Sequence, residues 1–470
     1  MDWQILSKES FPGKDFTIHA DIKPFPVFNW CGILFMADSL AQPAKGYLFC
    51  LNKDGFIELL SFSRESRTSI LQKRKSGIIE PEHTYRITIK KQDNICSGFL
   101  EDITLRENSS SFPLWPIFEL PMEDTECRLS AIAADPAKGE LLTDENNGLW
   151  KNFYSEPLTN LDSTCDTAKT EKYQNPILKG YADPDVLYHK GVYYLYATSS
   201  TLKTGYEAYL SKDLIHWEYG GKVMDEAWGM KDCYWAPDIM ELNNKFYLLA
   251  SVSEHLGIAT ASSPLGPFIP EPDFLFDKSI DGHYFVDENG SVYIFYVSWR
   301  EGKTYALYSM KMEADCVTPI LSTETLVIKA DEEWEQQQSP VAEAPYVIKH
   351  NGKYYLTYSG SHFESIGYAV GYAVSDNPQG PYVKYEGNPI LSYHYLSHGT
   401  GHHCIVKSPN GEDMFILYHS HHDTKSVQPR NLCIDRIRFV PEEGKADRLE
   451  VYGPTVTPQA YPLKLAEKNH

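Results

Sequence analysis

The sequence has little positive charge. Its 43 lysines and arginines face 64 aspartates and glutamates, for a net charge of −21, which argues against nucleic acid and other polyanions as partners. Long apolar runs are missing as well, so no segment reads as a membrane span. The opening residues MDWQILSKESFPGKDF lack the basic and apolar stretches of a secretory leader. The nine cysteines are odd in number and show no CxxC spacing. They read as reduced thiols, and a cytoplasmic location is the expectation. Helical periodicity is scarce, and no HExxH pair marks a helical zinc site. Aromatic side chains, in contrast, make up 13% of the chain, with 32 tyrosines. They are the bulk that β-strands favour and the surface on which sugars stack.

A chain of 470 residues is too long for one ordinary core, and two domains are expected. Residues 1–157 alternate in FTIHADIKPF, GYLFCLNKDGFIELLSFS and HTYRITIKKQDNICSGFLED, with hairpin turns at Lys53-Asp54-Gly55 and Asp93-Asn94. This pattern suggests a β-sandwich, and its element order resembles the concanavalin-like modules attached to many glycan-active enzymes. A glycan-binding module and a structural cap packed on the next domain are both open readings. Residues 158–174 are polar and turn-rich, as in a linker. Residues 175–458 form the second domain.

That second domain repeats one unit. EAPYVIKHNGKYYLTYSG, from Glu343 to Gly360, sets two alternating runs around Asn351-Gly352, and comparable units start near Ala182, Trp235, Asp281 and Gly401. Their leading residues Asp183, Asp238, Asp281, Glu343 and His402 recur at about the period of propeller blades. The intervals hold two further strands each. The fold class expected is therefore all-β, a five-bladed β-propeller preceded by a β-sandwich.

The starts of the innermost strands should converge at one end of the propeller channel. Three of them are acids beside a proline: Asp183 before Pro184, Asp238 after Pro237 and Glu343 two before Pro345. The offset from proline differs each time, so alternation alone does not fix which way each side chain points. YADPDVLY, WAPDI, EAPYV and GTGHHCIV, in this order, resemble glycoside hydrolase family 43 over about residues 175–455. The resemblance implies Asp183 as general base, Asp238 as the carboxylate that tunes and orients, and Glu343 as general acid. Asp185 is the rival of Asp183 in DPD, and Asp183 alone matches the family's Asp-Pro position. The resemblance also implies that His402 sits beside a calcium ion through water, and that Arg430 holds substrate or the acid. No other cofactor is expected. Trp235, Trp299, His283 and His419 are expected to contact the sugar. The clustered histidines at 401–403 and 419–422 offer a transition-metal site as a rival reading, which their strand context disfavours.

The function implied is inverting, exo-acting hydrolysis of short oligosaccharides, releasing terminal α-L-arabinofuranosyl or β-D-xylosyl units. The sugar comes from the resemblance alone. An endo-acting arabinan hydrolase and a non-catalytic glycan-binding propeller are the alternatives. Oligomeric state is not legible.

Overall fold

Alternating strands joined by short turns leave one pairing geometry, the antiparallel hairpin. The computed structural model is built of it throughout. It describes residues 172–462 apart from 301–303. Before them it describes residues 4–157 outside 11–13, 24–27, 41–44, 53, 64–68, 76–78, 80–82, 105–114, 123–128 and 137–149. The expected turn residue Lys53 and most of the expected linker, 158–171, lie outside the described residues.

The chain divides into two compact units, residues 1–170 with 455–457, and residues 171–454 with 458–470. In the first unit a six-stranded sheet faces a five-stranded one. Residues alternate inward along Phe16–Ile22, where Phe16, Ile18, Ala20 and Ile22 are buried. Phe118 of the five-stranded sheet meets Phe49 of the other at 4.9 Å between ring centroids, nearly edge-on. The Asp93-Asn94 turn joins Tyr85–Gln92 to Ile95–Asp102, with Asp93 at φ 53°. This unit is a β-sandwich.

The second unit is the five-bladed propeller. Blade I is Tyr181–His189, Val192–Ser199, Tyr206–Ser211 and Glu218–Met224. Blade II starts with Tyr234–Leu242, blade III with Ser279–Val286, blade IV with Ala342–His350 and blade V with Gly401–Lys407. One hydrophobic cluster fills the gap between each pair of neighbouring blades. Most tyrosines serve these cores: Tyr196, Tyr206, Tyr355 and Tyr418 are at most 2% exposed. Their hydroxyls are satisfied, as Tyr196 donating to the Pro264 carbonyl and Tyr355 to that of Asp447. Burying such a side chain stabilises the fold by roughly 2 kcal/mol. The ring closes where Leu178–Lys179, ahead of blade I, pairs with Asn431–Val440 of blade V. No repeat in the sequence signals that strand.

Candidate active site

Each inner strand carries one residue in the left-handed region at the same place. These are Asp183 (φ 52°), Ala236 (34°), Asp281 (55°), Ala344 (53°) and His402 (43°). The pairing register slips there in all five blades, which makes each a β-bulge. A non-glycine residue in that region costs about 1 kcal/mol. The cost is offset because the bulge frees an N–H that bonds the preceding blade. Ala236 N–H donates to Thr198 Oγ1 (2.8 Å), Asp281 N–H to Ser251 Oγ (2.8 Å) and His402 N–H to Ser359 Oγ (2.8 Å). Ala344 N–H donates to the Asp281 carboxylate at 3.2 Å.

The bulges sort the side chains by depth. Residues just before them (Ala182, Trp235, Ile280, Glu343) and most of the bulge residues (Asp183, Ala236, Asp281, His402) line one pocket of about 1060 Å³. Residues two positions beyond the bulge do not line it; these are Asp185, Asp238 and His283. Trp299, stacked on Tyr305 at 5.3 Å, adds an aromatic wall, and Phe363 and Arg430 also line the pocket.

Asp183 is the best-held group. Arg430 donates to it twice, at 2.7 and 2.9 Å, and Thr198 Oγ1 donates at 2.7 Å. His419 Nδ1 stands 2.9 Å from Oδ1, and His402 Nδ1 stands 3.3 Å from it. Burial alone would raise its pKa, but Arg430 and the two histidines outweigh it and hold the carboxyl well below the usual range. The same contacts join blade V to blade I, so Asp183 is also the clasp of the ring.

Glu343 is held differently. Its Oε1 accepts from the Tyr368 hydroxyl and its Oε2 from Tyr305, each at 2.8 Å. Burial raises its pKa, the two phenols pull it back, and the charge of Asp183 pushes it up again, for a net rise. Asp281 is raised well above its ordinary value by burial, then by Glu343 and by Asp183. The surroundings thus favour the protonated forms of Asp281 and Glu343 and the ionised form of Asp183.

Three sequence expectations change. Asp238 does not sit beside Glu343: its carboxylate accepts from His283 Nδ1 (2.7 Å) and from the Tyr284 N–H (2.9 Å) of the next blade. The carboxylate that faces Glu343 is Asp281, because the bulge turns Asp238 to the deeper level. His283 lies at that level too, 4.4 Å from the Tyr346 ring and only 6% exposed, away from any sugar. His419 is 0% exposed beneath Asp183. Its imidazole is driven down to about pKa 3 by burial and by Arg430, so it is neutral. Asp185 bonds the Ile239 N–H at 2.8 Å as an inter-blade staple. Burial and the neighbouring Asp238 keep its pKa well above the ordinary value.

His402 reaches the pocket, 3.3 Å from Asp183 and 3.8 Å from Asp281. Calcium takes six to eight oxygens. Here Arg430 places a positive charge against Asp183, and among the described residues no group of three or more His, Cys, Asp or Glu is arranged to hold a metal. The donor set does not fit a directly ligated calcium ion. The clustered histidines likewise serve as hydrogen-bonding groups, His403 to Thr357 (2.7 Å) and His421 to the Phe363 carbonyl (2.8 Å).

Comparison with known proteins agrees with this geometry. Residues 173–444 match the family described as Glycosyl hydrolases family 43. Beta-D-galactofuranosidase xynD of Aspergillus niger is 26% identical over 61% of this chain and 87% of its own length. A Beta-xylosidase of Xylanibacter ruminicola is 31% identical over 43% of this chain and 68% of its own. The crystal structure of a thermostable family-43 glycoside hydrolase superposes with a TM-score of 0.57 at 35% identity. It covers 62% of this chain and 100% of the other. With more than half of its length matched, the chain belongs to glycosyl hydrolases family 43, and it is a glycoside hydrolase acting on O-glycosyl bonds.

Proposed function

We propose that the protein is an inverting, exo-acting glycosidase that removes terminal α-L-arabinofuranosyl or β-D-xylosyl units from short oligosaccharides. Asp183 is the general base and Glu343 the general acid, whose pKa is raised by burial and by the charge of Asp183. One observation carries the reading: two carboxyl groups in one pocket are shifted in opposite directions by their surroundings, Asp183 towards the ionised form and Glu343 towards the protonated one.

The steps follow from those states. Glu343 gives its proton to the glycosidic oxygen as the bond to the anomeric carbon breaks. Asp183 accepts a proton from the water that attacks the opposite face of the sugar. Pairing with Arg430 makes Asp183 a weak base. The oxocarbenium-like transition state compensates, because a water bonding to a cationic carbon becomes strongly acidic. Trp235, Trp299 and Arg430 line the space where the sugar would lie. A pocket of about 1060 Å³ is the size of a small-molecule site, which supports exo action on short chains. The relatives' names span galactofuranosides and xylosides. The test is therefore a screen of p-nitrophenyl α-L-arabinofuranoside, β-D-xyloside and β-D-galactofuranoside, with debranched arabinan alongside. Release from one of the first two and no shortening of arabinan is the expected result. Mid-chain cleavage of arabinan would make the enzyme endo-acting, and silence throughout would favour a binding propeller.

The depth sorting gives a second expectation. Asp281→Asn replaces a carboxyl that burial, Glu343 and Asp183 push towards its protonated form, so the basic limb of kcat/KM set by Glu343 stays in place. Asp238→Asn leaves that limb in place too. It also lowers the melting temperature, because it weakens an inter-blade staple. A pH profile of each variant checks both, and a limb shift in Asp238→Asn alone would restore the tuning role to Asp238.

A further inference from the structure

A pair of stacked rings joins the two carboxylates. Tyr368 donates its hydroxyl to Glu343 Oε1 at 2.8 Å. Its ring lies flat on that of His419, with centroids 5.4 Å apart and planes 11° from parallel. His419 Nδ1 stands 2.9 Å from Asp183 Oδ1. A continuous path of one hydrogen bond, one stack and one hydrogen bond thus runs from Glu343 to Asp183. Both rings are 0% exposed, and each is tied at its outer end, so neither slides or spins freely.

The backbone respects this stack. In blades I to IV the residue just before the bulge is Ala182, Trp235, Ile280 or Glu343, and in blade V it is Gly401. A Cβ there would come within 2.3 Å of the Tyr368 ring, so only glycine leaves room for the tyrosine.

We infer, taking Asp183 as base and Glu343 as acid, that the Tyr368–His419 stack is the spacer that fixes the separation of the two groups. Tyr368 and His419 are then positioning residues for hydrolysis. Inversion needs the two carboxyl groups roughly 6.5 to 9.5 Å apart so that a water fits against the sugar. A displacement of about 1 Å in such an arrangement costs about 10²-fold in rate. A stack of two neutral, buried rings resists that displacement better than a flexible side chain would. Its hydrogen-bonding ends also hold the proton states: the Tyr368 hydroxyl favours ionised Glu343, and the His419 N–H favours ionised Asp183.

Two variants of Tyr368 separate the spacer from the hydrogen bond. Tyr368→Phe keeps the ring and removes the donor. Glu343 then holds its proton to higher pH, and the basic limb of kcat/KM on xylobiose or arabinobiose moves up, with kcat falling less than about tenfold. Tyr368→Leu removes the stack. It is expected to lower kcat by about 10²-fold on both the disaccharide and the nitrophenyl glycoside, with KM changed less than about threefold. Glu343→Ala is measured in parallel: undiminished disaccharide hydrolysis there would refute the acid assignment, whatever Tyr368 does. If Glu343→Ala is inactive on the disaccharide while Tyr368→Phe moves no limb, the tie to Glu343 is wrong. If Tyr368→Leu folds and keeps kcat within threefold, there is no spacer. Should Tyr368→Leu fail to fold, the limb shift in Tyr368→Phe decides.

Discussion

Asp183→Ala will lower kcat/KM by about 10⁴-fold, the upper end for loss of an acid–base group, and by the same factor on a nitrophenyl glycoside and on a disaccharide. Water must attack whatever the leaving group, so a better leaving group brings no relief. The same substitution will lower stability, because Arg430, only 11% exposed as a side chain, loses its counter-charge. Stranding one member of a buried pair costs on the order of 3 kcal/mol, which a thermal melt resolves. The two effects separate in Asp183→Asn, whose amide still offers an oxygen to Arg430 and is isosteric. Its melting temperature should recover much of the loss while its activity does not. Activity surviving in either variant on the disaccharide would remove the base role from Asp183.

Glu343→Ala will split the substrates. A sugar alkoxide is a poor leaving group and departs only as it is protonated, so disaccharide hydrolysis should fall by about 10³- to 10⁴-fold. A nitrophenolate leaves readily as an anion, and on that substrate the loss should be about tenfold or less. The pH profile should change in kind as well. Burial, and after it the charge of Asp183, raises the Glu343 pKa. The acid is therefore present below that pKa, and activity is lost as pH rises through it. With Glu343 gone, that basic limb should vanish from the nitrophenyl glycoside profile. Equal losses on both substrates would mean that another group protonates the leaving oxygen.

The propeller was legible because its hairpins are written locally. Asn351-Gly352 between Val347-Ile348 and Tyr354-Tyr355 states a turn and two strands without reference to the rest of the chain. Asp183 and Glu343 were legible because a proline beside each marks the start of an inner strand. Asp238 misled for the same reason. Pro184, Pro237 and Pro345 all follow a bulge residue, and the three acids stand respectively on the bulge, two beyond it and one before it. A bulge reverses which side chains face the channel, and nothing in the residue types announces it. Asp281 lacks the proline altogether. Gly282 follows it, where a Cβ would press within 3.0 Å of Leu249 and Leu256. Tyr368 and His419 were beyond reach for a different reason. Their contact joins blades IV and V across 51 residues of sequence, and a tyrosine at a strand edge looks the same whether it stacks on a leucine or on a histidine that touches Asp183.

Paired roles for Asp183 and Glu343 on opposite faces of the sugar have one direct readout, the anomeric configuration of the first sugar released. Proton NMR of the nitrophenyl glycoside that the enzyme cleaves fastest, recorded before mutarotation, gives it. Direct attack of water activated by Asp183 predicts that the anomeric signal of the inverted sugar appears first, with the other anomer growing in only at the rate of mutarotation. Early appearance of the retained anomer would require a covalent glycosyl-enzyme intermediate and would contradict the assignment of Asp183 as a base acting on water.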